Sequence, residues 1–165
     1  MIELKKITWD NYEAVLNLQL LEGQKGYVTP NYKSLVQAYI GITNDDEPPL
    51  PFAICKECGE VIGFAMMERE EMGEDDYFRQ QFGDKAIYNL YRFMIDKNHQ
   101  GKGYGRQAMV KILEFLRQAP RGAADSISIC YKPSNETARK LYTSLGFVET
   151  GHMNGEDMLA RLALQ

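Results

Sequence analysis

No stretch of the 165 residues approaches the ~20 consecutive apolar residues that a membrane-spanning helix needs. The opening, MIELKKITWD, also lacks the apolar core of a signal peptide. A cytoplasmic protein with no membrane partner is expected. Basic charge is in deficit, 19 Lys and Arg against 23 Asp and Glu, for a net charge of −4. Nucleic-acid binders carry a basic footprint, so no nucleic-acid partner is expected. A cationic substrate is compatible with this balance. Histidine and cysteine are scarce: His99, His152, Cys55, Cys58 and Cys130. CKECGE resembles half of a zinc knuckle, but a structural zinc site needs four ligands and there is no second CxxC. No metal is expected, and the cysteines read as ordinary thiols in or near a hairpin.

What is present is a hydrophobic fraction of 44% with 25% charged residues, enough for a core and a solvated surface. The length fits one domain, read as residues 1–165. Residues 2–7 read as a strand. DNYEAVLNLQL reads as a helix with a capping box from Asp10 to Glu13 and apolar Tyr12, Val15, Leu16 and Leu20 in helical period. NYKSLVQAYIG reads as a second helix, with Leu35, Val36, Tyr39 and Ile40 on its apolar side and Gly41 as its stop. NDDEPPLP is a loop. PFAIC and VIGFAMM flank the turn-like KECGE, as in a β-hairpin.

EREEMGEDDYFRQQFGDK is charged and lacks a clear period, so it reads as loop or short exposed helix. AIYNLYRFMID is a strand by its β-branched and aromatic content. RQAMVKILEFLRQA is an amphipathic helix that buries Met109, Ile112, Leu113 and Leu116, and SISICY is a strand. NETARKLYTSLGF is a helix with Asn135 as N-cap and a Schellman ending at Gly146 and Phe147. FVETG and DMLARLAL read as two last strands.

Between the strand and the amphipathic helix lies HQGKGYGRQAM, with glycines at 101, 103 and 105. Such glycines let a backbone turn tightly and approach a ligand closely. A helix N-terminus exposes unpaired N–H groups and partial positive charge. The combination points to an anion cradle, with phosphate as the natural anion. It is not a dinucleotide fingerprint, because Arg106 stands where the third glycine belongs, and no P-loop pattern occurs.

Gln100-Gly101-Lys102-Gly103-Tyr104-Gly105 resembles the Q/R-x-x-G-x-G/A signature of the GCN5-related N-acetyltransferase (GNAT) family. NETARKLYTSLGF is similar to the family's N-x-x-A-x-x-x-Y-x-x-x-G-F helix, at the family's separation. RFMIDKNHQGKGYG, and Asn154-Gly155 before the last strand, resemble the bacterial spermidine/spermine acetyltransferases of that family. The resemblance implies an α/β GNAT fold: a central mixed, mostly antiparallel twisted sheet with a splayed cofactor cleft and helices on both faces. It implies acetyl-CoA as co-substrate and acetyl transfer to a primary amine, with a polyamine favoured. A protein N-terminus, a lysine or another small amine are alternative acceptors. A non-catalytic acyl-CoA-binding module on the same scaffold is the rival reading. Homodimers are frequent in the family.

Residue by residue, the resemblance gives Phe93, Met94 and Ile95 the pantetheine arm and thioester oxygen through their main chain. Gln100, Gly101, Lys102, Gly103, Tyr104, Gly105 and Arg106 cradle the diphosphate, although Lys102 and Arg106 can equally be solvated surface. Asn135 caps its helix and, by the resemblance, also reaches the pantetheine. Lys140 is a candidate for the 3′-phosphate or a plain surface lysine. Tyr142 matches the tyrosine that protonates the departing thiolate; the alternative is a packing tyrosine beside Leu141 and Leu145. A phenol of pKa ~10 gives up its proton to a thiolate of pKa ~8.5 only at a cost of about 2 kcal/mol. It can still donate a hydrogen bond as charge develops.

A general base is harder to find. An amine of pKa ~10.4 is neutral in only about one molecule in 2500 at pH 7, a cost near 4.6 kcal/mol. Some relatives place a glutamate on the strand leading to the loop, where this chain has Tyr91 and Arg92. Glu68 and Glu70 are the candidates in its place. The acidic run Glu68, Glu70, Glu71, Glu74, Asp75 and Asp76 is either a solvated face or a rim that recruits a polycation.

Overall fold

A computed structural model describes residues 1–44 and 48–164. Seven strands form one sheet in the order β1-β2-β3-β4-β5-β7-β6. They are β1 (Ile2–Lys6), β2 (Leu50–Lys56), β3 (Val61–Glu71), β4 (Ala86–Ile95), β5 (Ser126–Tyr131), β6 (Val148–Asn154) and β7 (Asp157–Ala163). All neighbours are antiparallel except β4 and β5, which run parallel. A parallel pair needs a crossover, and the glycine loop plus α4 (Tyr104–Arg117) supplies it.

Two packing layers cover the sheet. On one face α4 buries Ala108, Met109, Ile112, Leu113 and Leu116 against Tyr88, Leu90, Ile127 and Ile129. Full burial of such side chains is worth about 1.5–3 kcal/mol each. The expected apolar stripe is therefore present, and the helix begins two residues earlier than Arg106. α5 (Glu136–Ser144) lies on the same face. Its Asn135 Oδ1 accepts from the Ala138 N–H at 3.2 Å. Its end is a Schellman motif: Gly146 N–H donates to Thr143 O at 3.0 Å and Phe147 N–H to Tyr142 O at 3.1 Å. Gly146 takes the φ of +93° that this ending demands.

The other face differs more from expectation. The helix expected over residues 10–20 is a short α1 (Tyr12–Leu16). No capping box forms at Asp10; Asn11 Oδ1 instead accepts from the Thr8 N–H at 2.8 Å. Leu16 is exposed rather than core. The chain leaves the helix because its next main-chain groups are taken elsewhere: Gln19 N–H donates to Asp96 Oδ2, and Gln19 O accepts from Lys97 N–H.

In α2 (Asn31–Asn44) the buried face is Asn31, Ser34, Ala38 and Gly41, while Val36, Tyr39 and Ile40 point to solvent. Small side chains let the helix lie close to the sheet, which overrides apolar count. Gly41 does not stop it. The loop expected at 44–51 falls partly on residues 45–47, which lie outside the described residues. The charged run resolves into a longer β3, reaching Glu71, and α3 (Tyr77–Phe82), which buries Phe78. No helix among the described residues is long and apolar enough to cross a membrane.

Candidate active site

β4 and β5 pair only from Ile87↔Ser126 to Leu90↔Ile129. Beyond that rung β4 continues to Ile95 and β5 to Tyr131 without pairing, so the sheet splays open. The cause is visible on the other edge of β4. Met66 stands opposite Arg92 and Met67 opposite Leu90, so Tyr91 is an extra residue in the ladder. Such a bulge bends its strand and re-aims side chains. Leu90 and Phe93, three apart, consequently both pack toward the α4 face.

The splay opens into a cleft of about 850 Å³, lined by β4, β5, the glycine loop, α5 and the segment 20–29. Its β4 wall carries main-chain groups that no neighbouring strand takes up among the described residues. Asp96 N–H donates to Ile62 O at 2.8 Å. Exchanging pairs recur every second residue in an antiparallel ladder. Met94 therefore spends its main chain on Phe64, and Phe93 and Ile95 turn theirs toward the cleft. Of the three residues expected along an extended ligand, Met94 contributes less than its neighbours. Its side chain packs in the core beneath α1 and α2.

In the glycine loop Gly101 and Gly103 adopt φ of +72° and +77°, and a Cβ at either meets nothing within 4 Å. These glycines are needed for backbone conformation, not space. Gly103 is the N-cap of α4 and contributes no side chain, and the first in-register bond of the helix is Gln107 N–H to Gly103 O. The N–H groups of Tyr104, Gly105 and Arg106 thus face outward from the helix start without acceptors among the described residues. Gly105 lines the cleft, and its Cβ would lie 3.7 Å from Leu141.

The two cations of the loop are engaged with protein. Lys102 Nζ donates to Asn98 O at 2.8 Å, and Arg106 Nη1 donates to Ser144 Oγ at 2.7 Å and Ser144 O at 3.3 Å. Lys140 is exposed, lies 3.8 Å from Glu136, and is outside the cleft lining. Gln100 turns inward: its Nε2 donates to Ile95 O at 2.9 Å. The Gln100 amide also exchanges two hydrogen bonds with Gln24, at 2.8 and 2.9 Å. Tyr27 reaches from the same segment to Ser134 beside the α5 N-cap, oxygen to oxygen at 3.3 Å. Residues 19–29 are thereby strapped over the cleft at both rims.

Tyr142 lines the cleft from α5 with 7% of its surface exposed. Its ring packs on Tyr131 and Phe147, with centroids 5.5 and 5.7 Å away. Burial, and secondarily the nearby Tyr131, push its phenol well above the ordinary tyrosine range. It therefore stays protonated at neutral pH and is equipped to donate, as a general acid must. Asn135 also lines the cleft, with its side-chain oxygen committed to capping.

The two candidate bases part company. Glu68 stands opposite Asn89 in the β3–β4 ladder, half-buried and outside the lining. Glu70 is also outside the lining but touches it: its Oε1 accepts from the Tyr91 hydroxyl, and from Asn89 Nδ2 at 3.4 Å. The acidic rim is partly neutralised within itself. Glu71 pairs with Arg69 at 2.6 Å, and Asp76 accepts from the Gly73 N–H. Asp157, absent from the sequence reading, is the one carboxylate in the lining among the described residues.

The Acetyltransferase (GNAT) family model matches residues 7–147. The chain belongs to the GNAT acetyltransferase family. That membership makes it an acetyl-CoA-dependent N-acetyltransferase. Among relatives, the chain is 28% identical over 163 residues to the spermine/spermidine N(1)-acetyltransferase of Bacillus subtilis (strain 168), covering 97% of each chain. Its fold is shared with the spermidine N-acetyltransferase of Vibrio cholerae solved with CoA and spermine. There the TM-score is 0.67 at 18% identity, over 99% of this chain and 95% of that one. The ribosomal-protein-S18-alanine N-acetyltransferase of Escherichia coli has the same fold, with a TM-score of 0.65 at 18% identity over 100% and 95%.

Proposed function

We propose that this GNAT acetyltransferase transfers the acetyl group of acetyl-CoA to a primary amine of a polyamine such as spermine or spermidine. The observation that carries the reading is the splay itself. Past Leu90 and Ile129 the two strands separate beside a helix N-terminus with unpaired N–H groups. An extended ligand with a diphosphate at one end and a reactive acyl group at the other fits that arrangement. The relative from Bacillus subtilis, matched along nearly its whole length, supports a polyamine acceptor.

The thioester supplies an activated acetyl group; the rest falls to this chain. The N–H groups of residues 104–106 and the helix dipole hold the diphosphate, the dipole contributing up to ~2 kcal/mol. The cleft-facing main chain of Phe93 and the Ile95 N–H orient the arm, the Ile95 carbonyl being held by Gln100. Tyr142 donates toward the sulfur as charge develops there. Asp157 in the lining and the exposed Glu74 and Asp75 before α3 favour a cationic acceptor. Asn135 and Lys140 contribute least to this reading, because the first is spent on its cap and the second lies outside the cleft.

The test is a panel of amines, comprising spermine, spermidine, a monoamine, a lysine peptide and a peptide with a free N-terminus. Each is incubated with protein and acetyl-CoA while released thiol is followed. The polyamines are expected to give the highest kcat/KM. A peptide N-terminus preferred over both polyamines contradicts the acceptor assignment and leaves acetyl transfer standing.

A further inference from the structure

The bulge at Tyr91 is not slack in the strand. Arg92 Nη1 donates to the Tyr91 carbonyl at 2.8 Å, satisfying a group the bulge removes from the ladder. The same guanidinium is fixed to α2, through Nε to Ser34 Oγ and Nη2 to Gln37 Oε1, each at 3.2 Å. The bulge is thus clamped from outside the sheet. Its effect is to put the Tyr91 ring in the cleft wall, one residue past the last rung between β4 and β5.

The hydroxyl of that ring donates to Glu70 Oε1 on β3. Asn89 Nδ2 donates to the same oxygen, while Asn89 Oδ1 accepts from Ser128 Oγ at 3.1 Å. The chain Ser128–Asn89–Glu70–Tyr91 therefore ends on an aromatic oxygen at the cleft. Glu70 stands opposite Ile87, whose side chain packs on the α3 side of the sheet, whereas Tyr142 belongs to the cluster on the α4 side. A proton acceptor and a proton donor thus flank the splay from opposite faces.

We propose that Tyr91 relays a proton from the acceptor amine to Glu70. The proposal rests on the acetyl-transfer reading above and names the missing base of that reaction. An ammonium at the splay gives one proton to the Tyr91 oxygen as the Tyr91 proton passes to Glu70 Oε1. The freed lone pair forms the C–N bond with the thioester carbonyl carbon, and the C–S bond breaks. The nitrogen loses its second proton to water, and the sulfur takes one from Tyr142, which recovers it from solvent. Glu70 then passes its proton to solvent, so one proton is released in net.

Burial first, then the hydrogen bond and charge of Glu70 and the charge of Glu68, hold the Tyr91 phenol far above its ordinary range. It is thus a carrier and not a terminal base. The other titratable groups at this end are Arg92 on the same strand, Cys130 and Tyr131 on β5, Lys132 beyond it, Tyr142 on α5 and Asp157 on β7. Two cleft-lining hydroxyls are bonded to carboxylates: Tyr91 to Glu70, and Tyr131 to Glu149, the latter already paired with Arg139 at 2.7 Å.

The test measures kcat/KM for spermine from pH 6 to 10 in wild type, Tyr91→Phe, Glu70→Gln and the double variant, with acetyl-CoA affinity by calorimetry. Tyr91→Phe keeps the ring, so acetyl-CoA affinity is expected to hold. Each single variant is expected to lose at least about tenfold at pH 7. The deficit should shrink as pH approaches the amine's own pKa, and the double variant should be no worse than the weaker single. The relay is overturned if Tyr91→Phe stays within about twofold of wild type, if its deficit is constant with pH, or if the double deficit is the product of the singles. A loss of acetyl-CoA affinity that accounts for the whole loss of kcat/KM overturns it too, leaving Tyr91 a shaping residue. A wild-type protein that releases thiol with no amine overturns the transfer reading, and the relay with it.

Discussion

Gln24 and Gln100 meet amide to amide, each donating to the other, at 2.9 and 2.8 Å. The pair joins the strap over the cleft to the first residue of the glycine loop, and Gln100 passes the link on to the Ile95 carbonyl. Loss of Gln24 frees one rim of the strap and leaves Gln100 its inner bond. A net hydrogen bond is worth about 1 kcal/mol, roughly fivefold in affinity. Gln24→Ala should raise the KM for acetyl-CoA by about that factor with kcat little changed. Steady-state kinetics with saturating amine check it, and a fall in kcat alone would place Gln24 elsewhere in the reaction.

Gly103 and Gly105 make opposite demands. Gly103 needs positive φ in open space, so Gly103→Ala meets no atom but pays about 1–2 kcal/mol in backbone conformation. Gly105 has an ordinary φ, and its new methyl would touch Leu141 at 3.7 Å. Acetyl-CoA affinity by calorimetry should fall about tenfold, or ~1.4 kcal/mol, for Gly103→Ala. It should change much less for Gly105→Ala. The reverse order would mean that bulk rather than backbone shape governs the cradle.

Tyr142→Phe keeps the packing on Tyr131 and Phe147 and removes only the hydroxyl. kcat should drop at least tenfold, within the ~10²–10⁴ range of general-acid assistance or just below it. Acetyl-CoA affinity should stay the same. Because burial keeps the phenol protonated past the ordinary tyrosine range, wild-type kcat should show no loss from Tyr142 ionisation up to about pH 10. An alkaline limb near pH 8 that disappears in Tyr142→Phe would contradict this.

Asp157 is the carboxylate inside the lining, while Glu74 and Asp75 stand exposed at the approach to α3. Attraction of a polycation by exposed charge is screened beyond about 8–10 Å at physiological salt. The KM for spermine should rise with ionic strength, and Asp157→Asn should raise it further without moving the KM for acetyl-CoA. A salt-independent spermine KM would remove electrostatic recruitment from the account.

Far from the cleft, Arg161 forks onto Asp84 at 2.6 and 2.8 Å, and Ser126 Oγ donates to the same carboxylate at 2.6 Å. Burial pushes the Asp84 carboxyl up, but these donors and the Arg161 charge together hold it below the ordinary value. A depressed carboxyl pKa adds stability that is fully present above the unfolded value of about 3.9 and lost as pH falls below it. Arg161→Met should cost about 3–5 kcal/mol at pH 7, since it strands a buried charge. Denaturant titration should show the gap to wild type narrowing below about pH 4.

The parts of this molecule written in the sequence are those with local causes. The cap at Asn135, the left-handed Gly146 and the stripe Met109, Ile112, Leu113 and Leu116 announce their helices. Gly101 and Gly103 announce a loop that presents its backbone. What escaped was set by distant partners. α1 stops early because Asp96 and Lys97 take the main chain of Gln19. α2 turns its small residues inward because the sheet comes close there. Tyr91 reads as one more aromatic in a strand until its missing partner on β3 shows it to be a bulge. The pairings Gln24–Gln100 and Tyr91–Glu70 join segments far apart in the chain, and no local pattern carries them.

Thiol release from acetyl-CoA, followed with and without spermine in the wild-type protein and in Gly103→Ala, tests the central claim most directly. The account predicts release that requires spermine, matches the acetylated amine formed, and weakens in the variant through a raised KM for acetyl-CoA. Tight binding of acetyl-CoA with no amine-dependent release would contradict it and leave a binding module on the same fold.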